Sequence, residues 1–200
     1  GKVTSDRNFV VGYDDEGDYG TGTVTLDGEG STLLSRWLDV GDEYIPGVLN
    51  IFNGSTVSIR DTTYVGELGN IAFGNNGGTL TTGDIFVGRS QLSGSGTINT
   101  SGIVSDLDIC FDASHGSEQS FSIDDITINL NQSGEYILGG GYLGKGSLTI
   151  KDGVTVASER GFIGFFTGST GIAVIDGEGS AWTITNYLHV GSAGTGELTI

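Results

Sequence analysis

One sequence phrase, Gly-x-hydrophobic-x-hydrophobic, recurs at a fixed spacing and constrains the fold of this chain more than any other feature. The phrase occurs as GTVTL from Gly22, GVLNI from Gly47, GSLTI from Gly146, GIAVI from Gly171 and GELTI from Gly196. Its closing residues lie 25 residues apart, as Leu26 and Ile51 and as Ile150, Ile175 and Ile200. A period of roughly 20–50 residues is typical of solenoids, whose repeats pack only on their neighbours.

A second phrase, in which hydrophobic residues run into a glycine, alternates with the first along the chain. It ends at Gly12, Gly41, Gly66, Gly88, Gly144, Gly164 and Gly191. Because side chains of a strand alternate between two faces, this spacing of hydrophobic residues predicts strands, and the glycine beside each strand permits a sharp bend. The abundance of glycine, 37 residues of 200, agrees with many short strands joined by turns.

These strands and bends predict an all-β fold, a right-handed parallel β-helix (β-solenoid). Each coil takes about 25 residues, so the 200 residues supply roughly eight coils. Equivalent strands then stack in parallel at about 4.8 Å, and their inward residues form ladders of like on like. The predicted core ladder comprises Leu26, Ile51, Ile150, Ile175 and Ile200.

The motif Asp-Gly-Glu-Gly-Ser occurs twice, at Asp27–Ser31 and at Asp176–Ser180. Each copy follows the closing strand of a coil. A catalytic loop is needed once in a domain, whereas a corner is needed in every repeat. We therefore interpret the motif as a structural turn with an acidic rim.

We predict a single β-solenoid segment over residues 1–200, with an irregular middle at about 92–138. That middle still alternates as strands do, and a longer loop is predicted at Ala113–Gln119. The alternative is an interruption between two solenoid domains, although no stretch has the composition of a linker. Both ends of the chain fall within the repeat. This position favours part of a longer repeat protein, or copies that stack end to end as a filament.

The charge balance is strongly acidic, with 25 Asp and Glu against 8 Lys and Arg and a formal net charge of −17. This balance argues against a nucleic-acid partner, because binding phosphates needs clustered Lys and Arg. No hydrophobic run approaches the roughly 18 residues of a membrane-spanning helix, so no membrane insertion is predicted for this segment. Cys110 is the sole cysteine, which excludes an intrachain disulfide and favours a small buried residue over a reactive thiol.

Two segments, Val174–Ile200 and Gly146–Ser158, resemble the glycine-rich β-helix repeats of bacterial autotransporter passenger domains and related large secreted surface proteins. That repeat type has a Gly-x-Gly-Ser-x-Trp turn, then Leu-x-Val-Gly, then Gly-x-Leu-x-Ile, and VIDGEGSAWTITNYLHVGSAGTGELTI contains all three. The first copy departs from it, because Leu33 stands at the tryptophan position. The resemblance covers residues 1–90 and 139–200. It implies an extracellular or cell-surface β-helix, while its relatives include adhesins, surface scaffolds and passengers that carry enzymes elsewhere.

One loop, YDDEGDYG, contains the candidate metal ligands. These are Asp14, Asp15, Glu16 and Asp18, with Asp39, Asp42 and Glu43 near them in the repeat. Hard oxygen ligands in a glycine-rich loop suit Ca²⁺. Neither the EF-hand spacing nor the nonapeptide calcium repeat is present, so a solvated acidic turn is favoured over a specific site. No other cofactor is predicted.

A carbohydrate-active β-helix that binds or cleaves a glycan, as a lyase or a hydrolase, is the alternative function. Its candidate residues lie in or near the irregular middle and are Asp124, Asp125, His115 and Arg89. A hydrolase needs paired carboxylates on one face, with basic residues beside them. The Arg-x-Lys element of pectin hydrolases is absent, and the arginines are scattered along the chain. Ordinary surface polar residues are therefore the favoured interpretation of these four.

The sequence thus predicts a non-enzymatic, extracellular β-solenoid with a structural or adhesive function, forming part of a bacterial surface protein or fibre. The expected partners are neighbouring coils of a longer chain or end-to-end copies of this one, together with surface glycans.

Overall fold

The chain folds almost entirely into strands. The structure, a computed structural model, describes residues 1–15, 18–74, 76–132 and 134–200, and for residues 13–15, 18 and 19 it describes the backbone alone. The strands are β1 (Lys2–Thr4), β2 (Asn8–Val11), β3 (Tyr13–Asp15), β4 (Asp18–Gly20), β5 (Gly22–Asp27), β6 (Thr32–Ser35), β7 (Trp37–Val40), β8 (Gly47–Phe52), β9 (Thr56–Val65), β10 (Gly69–Phe73), β11 (Thr79–Val87), β12 (Leu92–Ser93), β13 (Ser95–Ser105), β14 (Asp108–Phe111), β15 (Glu118–Ile123), β16 (Asp125–Asn131), β17 (Ile137–Gly140), β18 (Lys145–Ile150), β19 (Thr155–Ile163), β20 (Thr170–Ile175), β21 (Ala181–Val190) and β22 (Thr195–Thr199). Among the described residues the single helical element is a 3₁₀ turn, Arg89–Gln91. The predicted all-β class with parallel strands is therefore confirmed. Within the same residues, no helix has the length and apolarity that crossing a membrane requires.

The described chain divides into two compact units. The amino-terminal unit comprises Gly1–Ile85, Ser90–Thr100 and Ser120–Asn129. The carboxy-terminal unit comprises Phe86–Arg89, Ser101–Gln119 and Leu130–Ile200. Both units thus include parts of the middle that the sequence marks as irregular, and the single continuous segment stays a prediction.

One parallel sheet of the amino-terminal unit contains β5, β8, β10 and β12, in that order from one edge to the other. Its register places Leu26 opposite Ile51, and Ile51 opposite Phe73. Ile51 is fully buried, and Leu26 and Phe73 are nearly so. Because alternate residues of a strand point to opposite faces, these positions form one inward column of apolar side chains.

Two further sets of parallel strands contribute to the core of the amino-terminal unit, to which most of β11 and the first part of β13 also belong. β1, β6 and the first half of β9 form one set, and β2, β7 and the second half of β9 form the other. The inward columns of these two sets are Leu33–Val57, with the exposed Val3 opposite Leu33, and Val11–Val40–Val65. Each column stacks aliphatic side chains along the direction of the interstrand hydrogen bonds.

The carboxy-terminal unit repeats this arrangement. β14, β18, β20 and β22 form one parallel sheet, and β17, β19 and β21 pair in parallel beside part of β13. Ile150 lies opposite Ile175, and Leu148 lies opposite the buried Ala173. Residues 25 apart in the sequence are therefore direct neighbours across two strands, as the repeat predicts.

Gly47 shows why the recurring phrase begins with glycine. A Cβ at this position would fall on the Val11 carbonyl oxygen and the Gly41 nitrogen. In the other unit, a Cβ at Gly171 would fall on the Gly140 carbonyl oxygen and the Gly164 nitrogen. The phrase therefore requires glycine because two backbone segments approach closely, and not because of an unusual φ.

The two copies of Asp-Gly-Glu-Gly-Ser form the same turn. Both glycines of each copy have positive φ, namely Gly28 at 87°, Gly30 at 83°, Gly177 at 89° and Gly179 at 82°. In each copy the serine N–H donates to the carbonyl of the first glycine at 3.1 Å. The motif is a structural corner, as the sequence predicts.

The prediction that Gly144 closes its strand is wrong. Gly141, which directly follows β17, is the strand-closing glycine. The register places Gly140 opposite Ile163, so Gly141 is the equivalent of Gly164. The two glycines also share a left-handed backbone, with φ of 73° and 74°. A run of three glycines, Gly139–Gly141, ends the strand, so the hydrophobic pattern that marks the other strands is missing there.

The irregular middle contains an inserted pair of strands, β15 and β16. Ser120 Oγ donates to Asn129 Oδ1 at 2.7 Å in the amino-terminal unit. Gln132 N–H donates to Ser117 O at 3.0 Å in the carboxy-terminal unit. In both pairs the two residues lie on opposite sides of Asp124, which joins β15 to β16. Asp124 has φ of 50°, and this pairing on either side of a turn is that of a hairpin. The loop between β14 and β15, residues 112–117, corresponds to the predicted loop at Ala113–Gln119.

Candidate functional site

The Asp112 carboxylate organises the loop at residues 112–117 in the carboxy-terminal unit. Its Oδ1 accepts the N–H groups of Ser114 at 2.9 Å and His115 at 3.0 Å. The same oxygen lies 2.7 Å from His115 Nδ1. The hydrogen bond with the His115 side chain, followed by those with the backbone, lowers the pKa of Asp112 to about 2. Asp112 is therefore an anion at neutral pH that closes an Asx turn.

Cys110 lies against the other oxygen of this carboxylate. Its Sγ is 3.6 Å from Asp112 Oδ2, and Lys151 Nζ is 3.8 Å from that oxygen. Burial, and then the Asp112 carboxylate, raise the pKa of the Cys110 thiol. A nucleophilic cysteine requires a lowered pKa and contact with a base. The carboxylate instead contacts both the thiol and the imidazole and favours the protonated thiol. Cys110 is half-buried, where the sequence predicts a buried residue.

The residues proposed for glycan cleavage divide between the two units. Asp124 and Asp125 belong to the amino-terminal unit, and His115 and Arg89 belong to the carboxy-terminal unit. The left-handed backbone of Asp124 accounts for its residue type, because Asp adopts this conformation more readily than most residues. His115 contacts Asp112, and Arg89 is an exposed residue of the 3₁₀ turn.

The calcium candidates lie outside the described side chains. Glu16 is outside the described residues, and for Asp14, Asp15 and Asp18 the structure gives only the backbone, in which Asp15 pairs with Asp18 across β3 and β4. The calcium site therefore stays a prediction. Nearby, Asp42 Oδ1 accepts the N–H groups of Tyr44 and Ile45 at 2.7 and 2.6 Å, and so caps a turn. The described residues contain no group of three or more His, Cys, Asp or Glu that could hold a metal ion.

The predicted ladder residues lie in register in both units, with one exception. Leu26 is opposite Ile51 in the amino-terminal unit, and Ile150 is opposite Ile175 in the carboxy-terminal unit. Ile175 is half-buried. The exception is Ile200, the last residue of the sequence, which follows β22 and is 92% exposed, so its place in the ladder stays a prediction.

A polar ladder follows the outward side of the amino-terminal unit. Asn53 Nδ2 donates to Asp27 Oδ1 at 2.6 Å, and Asn76 Nδ2 donates to Asn53 Oδ1 at 3.0 Å. Three residues before Asn53, Asn50 Nδ2 donates to Thr25 Oγ1, its partner in register, at 2.9 Å. These polar side chains bond to groups on adjacent strands and turns instead of converging on one point.

An aromatic cluster lies in the carboxy-terminal unit, on the outward side of β19 and β21 and not on the β14–β18–β20–β22 sheet that is the counterpart of β5, β8 and β10. Its members are Phe86, Tyr142, Phe162, Phe165, Phe166, Tyr187 and His189, with neighbouring ring centroids 4.8–6.0 Å apart. Tyr142 is fully buried, and Phe162 is 6% exposed. Tyr187, at 37% exposed, opens the cluster to solvent beside His189. Such tilted and edge-on contacts add to the stabilisation that burial provides.

The sequence analysis missed this cluster, although a signal for it is present. Phe86, Phe162 and His189 each stand two residues before a strand-closing glycine, at Gly88, Gly164 and Gly191. The register confirms that Phe162 and His189 are neighbours in one column. Comparing this single position across repeats, instead of the inward positions alone, would have found the aromatic column.

Comparisons with known proteins identify no relative of this chain. No family model matches the chain, and no curated protein or solved structure shows significant similarity to it.

Proposed function

We propose that this chain is a segment of right-handed parallel β-solenoid, with about 25 residues per coil and roughly eight coils, that serves as a non-enzymatic structural or adhesive scaffold on a bacterial surface protein or fibre. One observation carries the proposal. Equivalent positions of successive repeats stand opposite one another in parallel strands, as Leu26 does with Ile51 and Ile150 does with Ile175. Repeats that stack in this way give an extended, rigid support rather than one enclosed site.

The use of polar side chains supports a scaffold. The polar ladder ties neighbouring strands together, and Asp106 Oδ1 accepts three backbone N–H groups, from Tyr142, Leu143 and Gly144, at 2.8–3.0 Å. Asp112 and Asp42 cap turns in the same manner. Carboxylates engaged with backbone groups are fixed in place and hold corners of the chain together.

Self-association is the partner we propose first, with strand edges as the contact. β5, β21 and β22 each pair with one described strand, so the second edge of each can pair with a neighbouring copy or with further coils of a longer chain. The extracellular location belongs to the same proposal. It is supported by the acidic, glycine-rich repeat itself.

Sedimentation velocity over a range of protein concentrations, with electron microscopy of the same samples, tests this proposal. We expect larger species as concentration rises, and end-to-end fibres in the images. Val190→Lys, which places a charge on the outer strand β21, should reduce association, whereas Thr167→Lys in an exposed turn should not. Globular monomers at every concentration would contradict self-association.

Contact with surface glycans is a second candidate role, and one observation favours it. Tyr187 and His189 form a partly exposed ring pair, with centroids 4.8 Å apart, on the outward side of β21. Such a pair offers an apolar surface with a polar rim. A glycan array should show binding that Tyr187→Ala abolishes and Tyr136→Ala leaves intact. The same glycans should not be cleaved, and release of shorter chains would identify an enzyme instead.

A further inference from the structure

The first residues of β19 have an open edge. β17 covers one edge of β19 at Arg160–Ile163 only, whereas β21 pairs along the other edge from Thr155 onward. No described strand pairs with Thr155–Ser158 on the first edge. The inserted strands explain this gap, because β16 pairs with β13 and β15 and not with β19.

The hydrogen bonds identify which backbone groups face the open edge. Val154 O accepts the N–H of Ala181 on β21, and backbone groups of a strand alternate between its two neighbours. The groups of Val156 and Ser158 therefore face β21, and those of Thr155 and Ala157 face the open edge. Glu159 N–H, the next in this series, donates to Tyr136 O on the open side.

A cleft of about 220 Å³ lies along this edge, within the carboxy-terminal unit. Phe111, Val154, Val156 and Ala157 supply apolar lining, and Ser117 and Gln132 supply polar groups. Phe111 and Val156 are buried beneath it, at 0% and 5% exposed. Beside this apolar floor lies the strand edge, where the Thr155 backbone groups and the Ala157 N–H have no partner among the described residues and Ala157 O accepts from Gln132.

Gln132 presents an unsatisfied acceptor in this lining. Its side chain is 7% exposed, and its Nε2 donates to Ala157 O at 2.9 Å. Its Oε1 is buried and has no hydrogen-bond partner among the described residues. Nearly all buried polar atoms in folded proteins have a partner, so this oxygen needs a donor from elsewhere.

The charge around the cleft is acidic. Glu118, Glu135 and Asp152 are exposed and lie within two residues of the lining positions Ser117, Gly134 and Val154. The nearby Lys151 is engaged by Asp112 at 3.8 Å. A basic ligand is therefore favoured over an acidic one.

We propose that this cleft binds an extended peptide segment, which adds as a strand to the open edge of β19. One small apolar side chain of the peptide packs against Val154 and Val156, a donor N–H reaches Gln132 Oε1, and basic residues on either side face Glu118, Glu135 and Asp152. Strand addition suits the site because the Thr155 N–H and carbonyl and the Ala157 N–H face the edge without a partner among the described residues, whereas Ala157 O already accepts from Gln132 Nε2.

Fluorescence polarisation with the labelled peptide Lys-Thr-Val-Thr-Lys tests the proposal at low ionic strength. We expect saturable binding, at least about tenfold weaker when the valine nitrogen is methylated, because that removes one main-chain hydrogen bond. The acidic peptide Glu-Thr-Val-Thr-Glu should bind more weakly still. Equal binding of the methylated peptide would overturn the proposal.

Two substitutions at one position supply the matched protein test. Ala157→Pro removes the edge N–H and should weaken binding at least about tenfold, whereas Ala157→Ser keeps the N–H and should bind as the original chain does. Circular dichroism shows whether both variants fold. If the proline variant does not fold, binding of the methylated peptide to the original chain is the deciding test. Equal binding by the two variants, or binding of cellohexaose in place of any peptide, would refute strand addition.

Discussion

The two units share their parallel strands and inward ladders, but the outward side chains that link their strands most clearly lie on different sheets and are of different kinds. In the amino-terminal unit, single hydrogen bonds between exposed groups, such as Asn53 with Asp27, link the strands. In the carboxy-terminal unit, buried rings such as Phe162 do so. An exposed hydrogen bond contributes about 1 kcal/mol, whereas truncating a buried ring costs about 3–5 kcal/mol. The inward ladder therefore defines the architecture, and the outward side adjusts the stability of each unit.

The largest effect should come from the feature that both units share, the close approach at the phrase glycines. Gly47→Ala and Gly171→Ala each force a Cβ into a neighbouring backbone segment. We expect each to cost more than about 4 kcal/mol of unfolding free energy, or to prevent folding of its unit. Urea unfolding followed by circular dichroism measures this loss.

Gly28→Ala is the control for that prediction. Gly28 has φ of 87°, and a Cβ added to it would meet no atom within 4 Å, so only backbone strain opposes the change. Strain of this kind costs about 1–2 kcal/mol. If Gly28→Ala proved as damaging as Gly47→Ala, backbone conformation and not close approach would explain the repeat.

The next effect separates the two outward sides directly. Phe162→Ala should lower the unfolding free energy by about 3–5 kcal/mol, and Asn53→Ala by about 2 kcal/mol, of which about 1 kcal/mol is the hydrogen bond and about 1 kcal/mol the left-handed backbone of Asn53, with φ of 52°. The reason is that Phe162 is 6% exposed and contacts several rings, whereas Asn53 is exposed. Thermal and urea unfolding of both variants give the comparison. Equal losses would mean that the polar ladder stabilises its unit as strongly as the aromatic cluster does.

Much of the strand arrangement could be predicted from the sequence. Close backbone contacts require a glycine in each repeat, and the spacing of these glycines shows where the strands lie. The pairing of Leu26 with Ile51 follows from spacing alone. The role of Gly141 escapes prediction because three successive glycines remove the hydrophobic pattern on which the prediction depends.

The outward side is harder to predict. The residue type at outward positions such as Phe162 and Asn53 depends on the residues opposite them on the next strand, and not on the alternation within their own strand. Gly139 illustrates this dependence. It lies opposite Phe162 and brings no side chain to a face that the rings occupy. The cleft beside β19 likewise arises because β16 pairs with β13 and β15 and not with β19. No sequence pattern within these strands predicts that pairing.

A smaller effect concerns the loop at Asp112 and depends on pH. The folded-state pKa of Asp112, about 2, lies below its ordinary value of 3.8, so folding is favoured by the ionised form. This contribution is complete above pH 3.8 and is lost as the pH falls towards 2. The melting temperatures of the original chain and Asp112→Asn should therefore differ at pH 7 and converge near pH 2. A constant difference across that range would contradict the role of the carboxylate.

The smallest effect should be on the reactivity of the single thiol. Burial and the Asp112 carboxylate raise the pKa of Cys110, and Lys151 acts in the opposite direction. Asp112→Asn should therefore speed alkylation of Cys110 by iodoacetamide at pH 7 a few-fold, whereas Lys151→Gln should slow it. Both substitutions alter the loop, so opposite changes in rate identify charge as the cause. Acceleration by both would show instead that opening of the loop controls access to the thiol.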